Sequence, residues 1–149
     1  MAPKFFGRYE HSLDPKGRVV LPARFRAQFD SRAFLTQYLD GCVALWTPEE
    51  FDKRLAEYSQ AQTRSSAERN LARVWAAGSQ EVEIDRQGRV PLPPYLKNFA
   101  HLDRNVLVVG AMERIELWDP EHWELRVRPA EASLTDPVDV LGAPADPGS

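Results

Sequence analysis

The apolar and polar positions of this chain alternate with a period that changes repeatedly, which predicts short strands interrupted by short helices. No apolar run approaches the length of about 20 residues that a membrane-spanning helix needs. Turn residues join neighbouring strands in pairs, so the pattern predicts four hairpins, the clearest of them across Asp40 and Gly41. The predicted strands cover residues 10–13, 19–21, 33–39, 42–46, 81–84, 90–92, 106–109 and 114–118.

Helices are predicted where capping residues precede apolar positions at helical spacing. Thr47 and Ser65 each stand three residues before a glutamate, an arrangement that satisfies free N–H groups at a helix start, and Gly78 ends the second of these helices. The two helices bridge the halves of the chain. The predicted helical residues are 23–29, 48–77 (in two helices), 94–99 and 120–127.

Two stretches, 13–22 and 84–93, share one pattern, with the sequences LDPKGRVVLP and IDRQGRVPLP. The offset of 71 residues is nearly kept further on, because Leu-Trp-x-Pro at 45–48 recurs at 117–120. Two copies are too few for a solenoid, and each half has too little apolar surface for a core of its own. The sequence therefore predicts one pseudo-symmetric fold in which strands of both halves interleave into a closed sheet.

Composition narrows the class of protein further. With 43% hydrophobic and 28% charged residues, the chain is typical of a soluble globular protein. One cysteine, Cys42, excludes an internal disulfide and a thiolate metal cage, and it is expected to pack as a small apolar side chain. The N-terminus lacks the apolar stretch of a signal peptide. We expect a cytosolic protein without a cofactor or a structural metal.

The net charge of −3 is unevenly distributed along the chain. Residues 1–26 carry +4, whereas residues 130–149 carry −4 and contain no basic residue. Positive charge concentrated in this way favours a polyanionic partner for the N-terminal region. The segment after Pro129 is rich in Pro, Ala and Asp, and we expect it to be a disordered acidic tail.

The recurring Asp-x-x-x-Arg loop allows two interpretations. Asp can cap backbone N–H groups, Gly can form the turn and Arg can pair with the Asp, which is turn architecture without a ligand. Alternatively, an oriented guanidinium can hold a phosphate or read guanine in the DNA major groove. The candidate DNA contacts are Lys16, Arg18, Arg86 and Arg89, with Lys4, Arg8, Arg24 and Arg26 extending the field around the first loop. The candidate loop-orienting residues are Asp14, Asp85, Gly17 and Gly88.

Residues 6–18, FGRYEHSLDPKGR, with Leu21-Pro22 and Phe25-Arg26 after them, resemble the opening of the MraZ family of bacterial transcription regulators. The second loop and Trp118-Asp119-Pro120 fit the same family, so the resemblance covers about residues 4–127. It implies an α+β, mainly β, fold of two pseudo-symmetric AbrB-like swapped-hairpin half-domains that form one closed β-barrel with short flanking helices. The expected divisions are half 1 at 4–50, bridging helices at 51–78, half 2 at 79–129 and the tail at 130–149.

The same resemblance implies a function. The chain would be a cytoplasmic, nucleoid-associated protein that forms a homo-oligomer, expected to be a ring. The ring would bind repeated boxes in double-stranded promoter DNA and control the division and cell-wall gene cluster. The family's Asp-x-x-x-Arg motif falls on Asp14 and Arg18 and again on Asp85 and Arg89, and Lys16 fits the first-loop pattern. Gln87 stands where the first loop has Lys16, and acidic residues flank the second loop, so we expect the second loop to contact DNA more weakly.

Two other functions remain open from the residues. Alternating Glu81, Glu83 and Asp85 would share a strand face and could hold Mg²⁺ in a phosphoryl-transfer enzyme, although a solvated face is the simpler explanation. An oligomeric interaction module is the second, with Trp75 as the candidate subunit contact and Trp46 and Trp118 as core residues. No metal-ligand spacing links the three histidines, His11, His101 and His122.

Overall fold

The computed structural model describes residues 2–135, in which eight strands and five α-helices are found. The chain separates into two compact units, one ending at Asp119 and the other beginning at Pro120, and each is described by itself. The strands are β1 (Arg8–Ser12), β2 (Arg18–Val20), β3 (Arg32–Gln37), β4 (Val43–Trp46), β5 (Gln80–Glu83), β6 (Arg89–Pro91), β7 (Asn105–Ala111) and β8 (Arg114–Trp118). The helices are α1 (Ala23–Arg26), α2 (Pro48–Ser59), α3 (Ser66–Ala77), α4 (Pro94–Phe99) and α5 (Pro120–Arg126).

Strands of the two halves interleave in one sheet, as the sequence repeat predicts. Six strands form an antiparallel sheet in the order β1-β7-β8-β4-β3-β5, and β2 and β6 form a separate two-stranded ribbon. Under the repeat, β1 corresponds to β5, β2 to β6, β3 to β7 and β4 to β8. If each strand is replaced by its equivalent, the order reads β5-β3-β4-β8-β7-β1, which is the same sheet counted from its other edge. The pseudo-twofold relation therefore runs between β4 and β8 and between β2 and β6.

The predicted closed barrel is wrong, because the large sheet is open with β1 and β5 at its edges. Two predicted hairpins are wrong as well: β1 pairs with β7 and β5 pairs with β3, while β2 and β6 pair with each other. The physical reason is burial. Val19 and Val90 lie opposite each other in the ribbon and are both fully buried, so the exchange covers apolar surface from both halves.

The other two predicted hairpins are confirmed. β3 pairs with β4, and the turn between them contains Asp40 and Gly41 with φ angles of 68° and 87°. β7 pairs with β8 through a turn in which Met112 has a φ of 71°. These strands carry apolar residues from both halves into one shared core, including Leu35, Leu45, Val108 and Ile115.

The predicted helix starts on the bridge are confirmed. The Thr47 hydroxyl accepts a hydrogen bond from the Glu50 N–H at 3.3 Å, and the Ser65 hydroxyl accepts one from the Glu68 N–H at 3.2 Å. Gly78 follows the last residue of α3. The first short helix ends at Arg26, earlier than the predicted residue 29, although Phe25 and Phe29 are both buried. None of the helices in residues 2–135 is long and apolar enough to cross a membrane.

Trp75 does not lie on the surface, so its assignment as a subunit contact is wrong. Its side chain is 3% exposed and stacks on Tyr58 and Phe51, with ring centroids 4.3 and 5.4 Å away. Large aromatic side chains on adjacent helices bury most surface when they stack, and here they fill the space under α2 and α3. The core positions predicted for Trp46 and Trp118 are confirmed.

Two smaller expectations concern Cys42 and the tail. Cys42 is fully buried, as expected, and its burial raises the pKa of the thiol. In the second unit, a 3₁₀ helix over Arg128–Leu134 follows α5. The expectation of a disordered tail is therefore wrong for residues 130–135, and its remainder, 136–149, lies outside the described residues.

The substitution Gly110→Ala tests the packing of the N-terminal segment on β7. An added Cβ would lie 2.2 Å from the Phe6 nitrogen and 2.5 Å from its Cα, so backbone must move. Because Phe5 beside it is buried between Phe25 and Phe29, we expect the free energy of unfolding to fall by about 3 kcal/mol, measured by urea denaturation.

Gly78→Ala is the matched control for this substitution. Its added Cβ would meet the end of the Gln37 side chain, which is a flexible group that can turn away. A loss of stability in Gly110→Ala no larger than in Gly78→Ala would contradict the packing described for Phe5 and Phe6.

Candidate nucleic-acid interface

The first Asp-x-x-x-Arg loop is organised by the carboxylate of Asp14. Its Oδ1 accepts hydrogen bonds from the N–H groups of Lys16 and Arg18, both at 2.9 Å, and its Oδ2 accepts one from Arg18 Nε at 2.7 Å. The turn closes through Gly17 N–H donating to the Asp14 carbonyl at 2.9 Å, and Gly17 has a φ of 75°. A positive φ of this size favours glycine at this position.

The second loop repeats this arrangement bond for bond. Asp85 Oδ1 accepts from the N–H groups of Gln87 and Arg89 at 2.9 Å, and Oδ2 accepts from Arg89 Nε at 2.6 Å. Gly88 N–H donates to the Asp85 carbonyl and Gly88 has a φ of 78°. The predicted turn architecture, with Asp holding Arg, is confirmed in both loops.

These hydrogen bonds change the acidity of both carboxyl groups. The backbone N–H of Arg18, followed by its guanidinium and the N–H of Lys16, lowers the pKa of Asp14 below its ordinary value of 3.8. Arg89 and Gln87 lower the pKa of Asp85 in the same way. Both carboxylates are ionised at neutral pH and hold their arginines in fixed rotamers.

In each of these arginines the carboxylate takes Nε and leaves the two terminal nitrogens available. Within residues 2–135, no hydrogen bond donated by either Nη atom of Arg18 or Arg89 is found. The side chains are 24% and 32% exposed, so the free edge of each guanidinium can reach solvent. An Nη pair fixed in this way is suited to bidentate binding of a phosphate or of guanine O6 and N7.

The ribbon of β2 and β6 places both arginines on one surface. Arg18 lies opposite Pro91, and Arg89 lies opposite Val20, while Val19 and Val90 point into the core. Directly opposed residues of an antiparallel pair share a face, so both arginines belong to the outer face of the ribbon. Arg18 and Arg89 are offset by two positions along the ribbon, which corresponds to about 7 Å in the strand direction. We call this face, with the loops at its two ends, the ribbon surface.

Three predicted DNA contacts are not brought to the ribbon surface by any described interaction. Arg24 donates to the Tyr9 hydroxyl at 3.1 Å and lies over the Phe6 ring at 4.2 Å. The backbone of Lys4 is bonded in both directions to the Gln28 side chain. Arg8 begins β1, which extends about 14 Å to Ser12, two residues before Asp14.

Two other cations approach the loops, each from the opposite half of the chain. Arg26, expected near the first loop, instead donates from Nη2 to the Arg86 carbonyl in the second. An added Cβ at Gly88 would lie 3.0 Å from Arg26 Cδ, and one at Gly17 would lie 3.9 Å from Lys97 Cδ and Nζ. Lys97 is not among the residues predicted from the sequence. The 71-residue offset, which aligns Lys97 with Arg26, is the signal that could have found it.

The metal site considered for Glu81, Glu83 and Asp85 is not assembled. Glu81 pairs with Arg32 at 2.6 Å, and Asp85 lies beyond the end of β5 with its carboxylate held by Arg89. Across residues 2–135, no group of three or more His, Cys, Asp or Glu side chains could hold a metal ion.

Comparison with known proteins gives matches over most of the chain. The family model "MraZ protein, putative antitoxin-like" matches twice, at residues 5–74 and 75–141. Three similar proteins, each named transcriptional regulator MraZ, come from Heliobacterium modesticaldum, Leifsonia xyli and Acetivibrio thermocellus. They are 40%, 38% and 37% identical, over 80%, 89% and 80% of this chain and 83%, 92% and 84% of their own lengths.

The lowered pKa values of Asp14 and Asp85 predict a pH window for loop order. A carboxyl group whose pKa is lowered by folding stabilises the loop fully above 3.8 and loses that effect as the pH falls through the lowered pKa. We expect both side-chain carboxyl signals to titrate below 3.8 in a ¹³C NMR experiment. In Arg18→Ala the pKa of Asp14 should rise, because the guanidinium is lost, while the pKa of Asp85 stays unchanged. Titration of either group at or above 3.8 in the native protein would contradict the hydrogen bonding described.

Proposed function

Because the chain belongs to the MraZ family of transcriptional regulators, we propose that it binds double-stranded DNA in a sequence-specific manner through the ribbon surface. In this proposal it is a cytoplasmic, nucleoid-associated regulator of the division and cell-wall gene cluster. It binds repeated promoter boxes as a ring-shaped homo-oligomer. Residues 4–50 and 79–129 are its two AbrB-like halves, and 51–78 bridge them.

The observation that carries the proposal is the duplicated, carboxylate-held guanidinium. Surface ion pairs contribute little to stability, so two identical pairs on one face are poorly explained as stabilising elements alone. A fixed arginine with its terminal nitrogens free loses little conformational entropy when it binds a planar partner. The ribbon surface presents Arg18 and Arg89 in this form.

Each loop residue has a role in the proposal. Arg18 and Lys16 make the main DNA contacts, and Arg86 and Arg89 make the secondary ones. Asp14 and Asp85 orient the arginines, and Gly17 and Gly88 allow the turns. Lys4, Arg8 and Arg24 contribute through long-range attraction, since no described contact brings them to the loops.

A ring explains how so small a surface could bind tightly. One ribbon surface offers few phosphate contacts, and such contacts bind weakly at physiological salt. Several copies that meet repeated DNA boxes at matching spacing would gain affinity through effective concentration. Rotation around a ring also matches direct repeats, whereas a two-fold axis would match a palindrome.

A second candidate function, an oligomeric interaction module, is favoured by one observation. Leu71 and Val74 on α3 are 54% and 58% exposed, and Leu55 on α2 is 39% exposed. Exposed apolar side chains on neighbouring helices are typical of protein contacts. This surface is compatible with the DNA-binding proposal, because a ring needs subunit contacts away from the ribbon surface. No catalytic role is proposed.

The proposal is tested by fluorescence anisotropy with a duplex from upstream of this protein's own gene, beside a scrambled duplex of equal length. We expect tighter binding to the native duplex, with affinity falling steeply from about 50 to about 200 mM salt, because the release of counterions from the DNA becomes less favourable as the salt concentration rises. Arg18→Ala should lose the preference for the native duplex, because one bidentate contact gives about 1–3 kcal/mol of discrimination.

Native mass spectrometry of Arg18→Ala is the control, since an unchanged oligomer separates lost DNA contacts from lost assembly. Wild-type protein that binds neither duplex at low salt would refute the DNA-binding proposal. The oligomeric interaction module would then be the better interpretation of this protein's function.

Arg89→Ala, measured beside Arg18→Ala, tests which of the two loops contributes more to DNA affinity. We expect the smaller loss of affinity in Arg89→Ala, because the second loop has Gln87 where the first has Lys16, and Glu81 and Glu83 precede it. The same anisotropy titrations give the comparison. An equal or larger loss in Arg89→Ala would show that both loops act alike.

A further inference from the structure

We propose that Lys97, contributed by the second half of the chain, completes the first loop as a phosphate-binding residue. The first DNA-contacting site is then composite: Lys16 and Arg18 come from one half and Lys97 from the other. This inference rests on the proposed function and identifies a member of the same site that neither loop sequence contains.

The position of Lys97 follows from the exchange of strands. The Leu92 N–H donates to the Gly17 carbonyl at 3.0 Å, which ties the start of the second half's short helix to the first loop. Lys97 follows on α4, and its Cδ and Nζ both lie 3.9 Å from the place where a Cβ on Gly17 would be. The stem and the ammonium group of Lys97 therefore both lie beside Gly17, the residue between Lys16 and Arg18.

The ammonium group of Lys97 is available for a ligand. Among residues 2–135, neither a carboxylate within ion-pair distance of its Nζ nor a hydrogen bond from it is found, and the side chain is half-buried. A lysine stem packed on backbone with its charge left in solvent holds that charge in a limited volume. A compact ammonium is a point charge that suits phosphate oxygens better than the edge of a base.

The equivalent residue of the other loop serves as an internal comparison. Arg26 corresponds to Lys97 under the repeat and lies against Gly88, but its Nη2 donates to the Arg86 carbonyl. Arg26 is thus a positioning residue of the second loop, whereas Lys97 adds an uncommitted charge to the first. This difference gives a physical reason, besides Gln87, for the first loop to bind DNA more strongly.

Lys97→Met tests the proposal, because methionine keeps an unbranched apolar stem against Gly17 and removes the charge. Lys53→Met is the matched control: it also removes one positive charge, from a lysine on α2 that is paired with Glu50 at 2.9 Å. Both are titrated with the native and the scrambled duplex between about 50 and about 200 mM salt. Thermal unfolding shows that the variants are folded, and Lys97→Gln replaces Lys97→Met if that variant is not.

We expect Lys97→Met to weaken binding to both duplexes alike. The slope of log affinity against log salt concentration should become less steep by about 0.9 for each Lys97 that contacts a phosphate. Over a fourfold change of salt this makes the ratio of wild-type to variant affinity shrink about threefold per engaged residue. Lys53→Met should match wild type, and Lys97→Arg should keep the wild-type slope because it keeps the charge.

Three outcomes would overturn the inference while leaving the proposed function intact. They are a wild-type slope and affinity in Lys97→Met, an equal loss in Lys53→Met, and a loss of preference for the native duplex at an unchanged slope. The last would mean that Lys97 shapes the loop and does not bind phosphate. Wild-type protein that binds no DNA would instead remove the proposed function and this inference together.

Discussion

The antiparallel pairing of β2 with β6 is the interaction on which the rest of the structure depends. It buries Val19 against Val90 and turns both Asp-x-x-x-Arg loops towards one outer face. Leu21 donates to the Gly88 carbonyl and Leu92 to the Gly17 carbonyl, so each loop is held by the half that does not contain it. Neither loop would keep its position without the other half, because three-residue strands are too short to be stable alone.

The same few bonds serve structure and proposed function in the two loops. An Asp that caps a turn would do so with any residue except proline four positions later, since the backbone N–H makes the largest contribution to its lowered pKa. Arginine at that position adds a side chain whose Nε is bound and whose terminal nitrogens remain free. Turn architecture and DNA contact are therefore not competing explanations. The first supplies the rigidity that the second requires.

Local features of the fold were predictable and long-range ones were not. Thr47, Ser65 and Asp40-Gly41 act on backbone within a few residues, so their sequence signals were sufficient. The partner of β1 lies about 100 residues away, and nothing in a five-residue alternation specifies it. The repeat did indicate interleaving, but it could not show that the sheet stays open or that Arg26 crosses to the second loop. Trp75 was misassigned because a residue without a repeat counterpart can still be buried by its own helix neighbours.

The order of strands in the large sheet also determines when the protein can fold during synthesis. β1 leaves the ribosome well before its partner, because Arg8 pairs with Val109, and β2 is likewise made before β6. At about 5–20 residues per second, the first strand is without its partner for about 5–20 s. Pairing at such sequence separation is slow, because a long loop must close before any contact rewards it. The nascent first half is therefore a chain with open strand edges, and the second half acts as the template that completes it.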